Sequence, residues 1–338
     1  MRLPLNRRRF VRLGSFALIA SSAAGEETES TNRFEATHAT MGTQFRTILY
    51  ANSKAQAKIA FDAVATRLNA LNASLSDYIA TSEVSRLSAS AGRSHWTLLH
   101  PDLAAVLTFG QRLAQQTDGA FDMTVGPLTR LWRTSRRHNK LPTKNRLSQA
   151  LETTGHAQLT LDHHRNRARL HRPGMRLDLG GIAKGYGVDE AVKTLKSHGI
   201  TTALVDGGGD LRVVGHPPGS DGWRIASQEL DASETMNARF VNDVAVATSG
   251  DLHQSVNIDG RKFSHIIDPR TGLGLEFRRT VSVTAPTGMV ADALASALSI
   301  LPTGSSSSLL SKFYPKASAR ILTQTASGIE EVKIHSKA

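Results

Sequence analysis

Residues 176–215, RLDLGGIAKGYGVDEAVKTLKSHGITTALVDGGGDLRVVG, set two glycine clusters and several carboxylates on either side of one short apolar repeat. Residues 177–179 form an apolar run that ends at Gly180-Gly181, and Val188, Ala191, Val192 and Leu195 recur at helical spacing. The pattern predicts strand, glycine turn and helix in succession. Bare backbone at a helix start can approach a phosphate closely, where unpaired N–H groups and the helix dipole favour an anion. Lys184 then falls in the first helical turn. Gly199 ends the helix, residues 202–205 read as a second strand, and Asp206-Gly207-Gly208-Gly209-Asp210 is a flexible turn with a carboxylate at each end. The spacing is neither GxGxxG nor a P-loop. It predicts a phosphate-handling site of another kind.

Taken together, DLGGIAKGYGVD at 178–189 and LVDGGGDLRVVG at 204–215 resemble the ApbE family, the FAD:protein FMN transferases. Further matches extend the resemblance over about 34 to 301. They are Thr40-Met41-Gly42-Thr43, Ser76-Asp77-Tyr78 with SEVSRL at 82–87, and DGAFDMTVGP at 118–127 with Leu131-Trp132. VAVATSGD at 244–251, HIIDPRTG at 265–272 and ADALASAL at 291–298 complete them, and HIIDPRTG is highly specific.

The resemblance implies an enzyme that splits FAD with magnesium, attaches FMN to a threonine hydroxyl of a partner protein and releases AMP. Its acceptors carry a D-[GA]-x-[ST]-G-[AS]-T type sequence, as in Nqr- and Rnf-like electron-transfer proteins. It also implies an α+β fold, a mixed or antiparallel sheet with packed helices, related to T-fold proteins. Met41, Tyr78, Ala120, Phe121, Asp122, Asp178 and Lys184 are the implied cofactor contacts. Asp292, the Ser296 hydroxyl and the Ala295 and Gly181 carbonyls are the implied magnesium ligands, hard oxygens of the kind that ion prefers. His265 is the candidate general base or hydroxyl-orienting group, since imidazole titrates near working pH.

Ordinary alternatives accompany several of these roles. Met41 also reads as a core gap-filler, Tyr78 as packing, and Lys184 and Asp292 as helix-surface charges. Two departures from the family pattern stand out: Ser296 replaces threonine, and Asp206 stands where asparagine is common. Two rival functions use the same residues, an FAD pyrophosphatase giving FMN and AMP, and a non-enzymatic flavin-binding protein.

Elsewhere the pattern predicts amphipathic helices at 54–75, 101–117 and 288–301. Residues 34–51 read as a stretch ending in a strand through Phe45, Thr47 and Leu49, and 158–161, 167–170, 223–226, 239–242 and 281–285 read as further strands. Asp259-Gly260 is a two-residue hairpin signal. The strand-rich second half argues against a doubly wound parallel sheet. Residues 305–308, a serine run, read as a loop or cap, and the tail adds at most two strands.

The 338-residue chain has no cysteine, which excludes disulfides, thiolate metal sites and lipid attachment to a cysteine. Arg7-Arg8-Arg9-Phe10, a weakly apolar run at 13–20 and Ser22-Ala23-Ala24 have the order of a twin-arginine export signal. The expected organisation is a signal at 1–24, a linker at 25–33 and one ApbE-like domain at 34–338, in a periplasmic protein. Cleavage would remove five arginines and lower the formal charge from +12 to +7. A basic surface suits an anionic dinucleotide, an acidic partner or, through peripheral association, anionic lipid; no nucleic-acid partner is expected. The cations Arg130, Arg133, Arg136, Arg137, Lys140, Lys144 and Arg146 form a run that reads as a solvated face or a docking surface.

Overall fold

The computed structural model describes residues 31–226, 230, 238–250, 255–258 and 260–335. The expected signal at 1–24, most of the linker, Asp251 and Asp259 lie outside the described residues. The stretch 34–51 forms a hairpin, not a single strand: β1 (Asn32–Thr40) pairs antiparallel with β2 (Thr43–Ala51). Met41 and Gly42 make its two-residue turn with φ of 50° and 75°, as a hairpin loop that matches strand twist requires. Ordered strand therefore begins at Asn32, inside the expected linker.

α1 (Lys54–Leu75) keeps its predicted bounds, with Ser53 capping its first turn and Val64, Leu68, Leu71 and Leu75 buried along one stripe. α2 (Glu83–Ala89) is capped by Ser82, and β3 (Thr97–Leu98), β4 (Leu159–Asp162) and β5 (Arg167–Leu170) form a small sheet in the order β3-β5-β4. Between them lie α3 (Pro101–Gln116), α4 (Gly126–His138) and α5 (Lys144–Glu152).

The central stretch differs from its predicted form. Residues 177–179 are not a strand, because their amides are satisfied elsewhere: Leu177 N–H donates to Ser88 Oγ at 3.0 Å and Asp178 N–H to the Met123 carbonyl at 2.8 Å. α6 (Ala183–Ser197) follows, then β6 (Ala203–Gly207) and β7 (Leu211–Val214). The expected five-residue turn is thus tighter, since Asp206 and Gly207 remain in the strand.

Next come β8 (Trp223–Ala226), β9 (Ala238–Val241), β10 (Ala245–Gly250), β11 (Ser255–Ile258), β12 (Arg261–Ser264) and β13 (Arg279–Ala285). Ile258 pairs with Arg261, the register expected of the Asp259-Gly260 hairpin. α7 (Gly288–Ile300) is followed by α8 (Thr303–Phe313), then β14 (Ser318–Thr325) and β15 (Gly328–Ile334). The serine run at 305–308 lies inside α8, where burial of Leu309 and Leu310 outweighs the weak helix preference of serine.

Eight strands form the main sheet in the order β1-β2-β6-β7-β10-β13-β14-β15, every neighbouring pair antiparallel. α1, α6 and α7 cover one face. Strand alternation divides the side chains accordingly: Phe45, Leu49 and Val205 enter the large helix-covered core, while Ile48, Leu204 and Val213 point the other way and pack with Trp223 and Ile225. A third cluster joins Leu128 and Trp132 of α4 to Phe263 of β12 and Ile267.

Candidate active site

α6 crosses α7 backbone on backbone. A Cβ on Gly185 would lie 2.2 Å from the Gly288 carbonyl oxygen, and one on Gly288 would lie 2.4 Å from the Gly185 carbonyl oxygen. Only glycine fits at either position. The close approach brings Asp292, one turn along α7, to the start of α6, where its Oδ2 accepts the Gly185 N–H at 3.0 Å. Asp292 is 3% exposed, which removes the reading of it as a surface carboxylate.

Lys184 completes this corner. Its ammonium pairs with Asp210, from the β6–β7 turn, and stands 3.8 Å from Asp292. Burial and the neighbouring Asp292 carboxylate push the Asp210 carboxyl up to about 7 despite the Lys184 cation. For Lys184, burial opposes the charge, but the two carboxylates outweigh it and raise its pKa. Two buried carboxylates against one ammonium leave the corner suited to a further cation. Asp206 Oδ1 accepts the Gly209 N–H at 2.8 Å, a bond that asparagine would make equally, and nothing in the structure explains the departure.

Ser296 lies on α7 four residues beyond Asp292. A Cβ on Gly181 would come 2.6 Å from Ser296 Oγ, so the hydroxyl rests against the glycine turn, and Ser249 Oγ of β10 is 3.5 Å from it. Ala295 is placed differently: it is fully buried, and its carbonyl accepts the Ser299 hydroxyl at 2.8 Å.

These groups face a cavity of about 960 Å³. Met41, Tyr78, Ala120, Phe121, Asp122, Asp178 and His265 line it together with Gly181, Lys184, Asp292 and Ser296. Of the residues expected at the site, Ala295 alone is not on its wall. Asp122 lines the cavity, but its carboxylate is engaged internally: Oδ1 accepts the Thr124 N–H and hydroxyl, each at 2.7 Å, and Oδ2 accepts the His156 N–H at 2.8 Å. Burial still raises its carboxyl. Asp122 therefore shapes the 118–126 loop that presents Ala120 and Phe121. His265 follows β12 in a loop held to α4 by the Trp132 indole, which donates to the Gly272 carbonyl at 2.7 Å.

At another part of the wall Tyr78 is 76% exposed, and the Arg133 guanidinium lies 4.1 Å from its ring centroid. Arg133 also donates to Asp77 at 2.7 Å and to Asp178 at 3.0 Å, and Asp178 Oδ1 accepts the Gly180 N–H at 2.8 Å. One guanidinium thus ties the tyrosine loop and the glycine turn to α4.

A model of the ApbE family matches residues 41–321. The chain belongs to the ApbE family. It is 33% identical over 242 residues to an FAD:protein FMN transferase of Haemophilus influenzae, covering 69% of this chain and 70% of that one. An FAD:protein FMN transferase of Escherichia coli K12 is 31% identical over 270 residues, with 78% and 76% covered. Among solved structures, the flavin transferase ApbE from Vibrio cholerae superposes with a TM-score of 0.82 at 30% identity, over 90% of this chain and 98% of that one. The α+β architecture expected from the resemblance to the ApbE family is borne out.

Within this ApbE chain, the Asp292 corner offers only hard donors: two carboxylates, the Ser249 and Ser296 hydroxyls and the Gly181 backbone. Among the described residues no three acidic or histidine side chains converge as a cage. The donor set fits magnesium, which binds few protein groups and takes oxygens from a phosphate ligand. Sequence reasoning missed Arg133, Asp77, Asp210 and Ser249 as wall residues. In the structure Val125, Thr129, Trp132, Arg133 and Arg136 form one helical stripe, all on the cavity wall.

Proposed function

We propose that this chain transfers FMN from FAD to a threonine hydroxyl of an acceptor protein, with AMP leaving. The observation that carries the reading is one cavity that holds both an exposed aromatic platform at Tyr78 and the buried Asp210–Lys184–Asp292 corner beside a glycine turn. The platform suits a flavin ring and the corner suits a pyrophosphate with its cation.

In the reaction the acceptor oxygen attacks the flavin-side phosphorus. A new P–O bond forms, the bond to the bridging pyrophosphate oxygen breaks, and AMP departs with that oxygen. His265 accepts or orients the hydroxyl proton, and Lys184 binds a phosphate oxygen. Asp292, Ser296 and the Gly181 backbone would hold magnesium, which supplies charge neutralisation at the pyrophosphate when bound. Phe121 and Met41 exclude water along the wall. Support for an exported, periplasmic enzyme is the twin-arginine pattern of residues 7–10, and the acceptor we assign carries the D-[GA]-x-[ST]-G-[AS]-T type sequence.

The test is incubation with FAD, magnesium and a protein domain bearing that sequence, followed by a denaturing gel. Flavin fluorescence that stays with the acceptor supports transfer. Free FMN and AMP without labelled acceptor would make the chain a pyrophosphatase, and binding without turnover would make it a carrier.

A further inference from the structure

α4 is shared between the cavity and a surface on which exposed cations follow one another with no carboxylate in the same stretch of chain. No carboxylate occurs from Met123 through Leu151. Among the described residues Arg130, Arg136, Arg137, Lys140, Lys144 and Arg146 are exposed and take part in no ion pair. Some exposed cations elsewhere are matched, as Arg33 and Arg46 are by Glu35, Lys58 by Asp62 and Arg261 by Glu276, and others such as Lys54, Arg93 and Lys196 are not. What sets this surface apart is six such cations within one stretch that holds no carboxylate. The helix dipole rationalises Arg136 and Arg137 in the last turn of α4, but not Arg130 nor the cations beyond Asn139. Arg136 lines the cavity, and an open hollow lined by Arg133, Arg136, Arg137 and Val256 continues from it. The cationic surface therefore begins at the wall of the cavity.

We infer that this surface docks an acidic segment of the acceptor protein, flanking the hydroxyl that enters the cavity. The inference rests on the transfer reading, since a hydroxyl on a protein reaches the cavity only if the chain around it rests on the rim. Like charges held together without partners repel one another, and an acidic flank would relieve them. A membrane is the weaker occupant. Leu128 and Trp132 of α4 are buried, and its exposed residues are Arg130, Thr134, Arg136, Arg137 and His138, which leaves no apolar edge to enter lipid. FAD is the other anion, yet Arg137 and Lys140 do not line the cavity.

The experiment uses a fluorescently labelled soluble domain carrying the acceptor sequence, in one form flanked by Asp and Glu and in another by Asn and Gln. Anisotropy reads binding without FAD, and gel fluorescence reads transfer. Arg137→Glu with Lys140→Glu is expected to weaken binding of the acidic form about tenfold or more, equivalent to about 1.4 kcal/mol. The loss shrinks at high salt, while binding of the neutral form and of FAD is unchanged. The pair Arg137→Gln and Lys140→Gln gives a smaller loss in the same direction and serves if reversal disturbs the helix. Equal binding of the two forms by the unaltered protein overturns the inference. An equal loss of FAD affinity reassigns the cations to the nucleotide, and reversal that abolishes pelleting with phosphatidylserine vesicles but spares the acidic domain makes the face a lipid surface. Salt-sensitive binding of the acidic domain without transfer overturns the transfer reading and leaves docking standing.

Discussion

Gly185 of α6 and Gly288 of α7 meet backbone to backbone, each filling the space where the other's side chain would stand. The contact is the reason a carboxylate from α7 can reach the amide of Gly185. Gly185→Ala or Gly288→Ala must push the helices apart. We expect a loss of about 1–3 kcal/mol in urea unfolding, the usual scale of overpacking, together with weaker FAD binding as Asp292 is displaced. An alanine variant with unaltered stability and FAD affinity would refute so close a crossing.

Asp292→Ala should remove magnesium-dependent transfer by about 100-fold or more, on the scale seen when a charge-stabilising group is lost. Ser296→Thr keeps the oxygen beside Gly181 and should retain activity. Rates measured across a magnesium titration check both, and normal turnover of Asp292→Ala at limiting magnesium would remove it from the ligand set.

His265→Ala should separate binding from chemistry. FAD binding is expected to persist, because Tyr78, Phe121 and the Lys184 corner remain, while transfer falls roughly 100-fold. A parallel loss of FAD affinity would assign His265 to the cofactor.

Arg133→Ala releases Tyr78 and strips a guanidinium from Asp77 and Asp178 at once. Asp77 is already pushed up by burial and by the Asp178 charge, and it loses the cation that counters them. FAD affinity should fall about tenfold, and Arg133→Lys should rescue little, since lysine lacks the planar fork that spans two carboxylates and a ring. Full rescue by lysine would reduce the role of Arg133 to charge alone.

Asp102 gives a pH signature. Burial raises its carboxyl, but the two-pronged Arg67 contacts at 2.7 and 2.5 Å and the Tyr186 hydroxyl at 2.7 Å outweigh this and hold it below the usual carboxylate value. A depressed folded value means the stabilisation is complete above the unfolded pKa of about 3.9 and is lost as pH falls through the folded one. Asp102→Asn should therefore lower Tm at neutral pH and flatten its decline in that acidic window. An unchanged acid profile would show that other carboxylates set it.

Helices with a continuous apolar stripe, such as α1, were legible to the residue, because burial of that stripe is what makes them helices. Residues 177–179 were not, since their amides are satisfied by Ser88 and Met123, partners that no local pattern announces. The α8 serines misled for a related reason: Leu309 and Leu310 decide that segment by packing. At the site, motif matches located the glycine turn, His265 and Asp292, whereas Arg133 was concealed in a run of like charges. Only the fold shows which of those cations turns inward, toward Asp77 and Asp178.

The sheet order also sets when the site can come into being. β2 finds β6 across most of the first half of the chain, with Phe45 opposite Gly207, and β7 finds β10 only after the β8–β9 ribbon has been passed. Such distant pairings close slowly, because the chain gives up loop entropy before the contacts return it. Met41 and Asp210, which flank the β2–β6 pairing, therefore have no fixed relation until it closes. During refolding the helical signal should return first and FAD binding last, so a chain that has regained its helices still lacks a site.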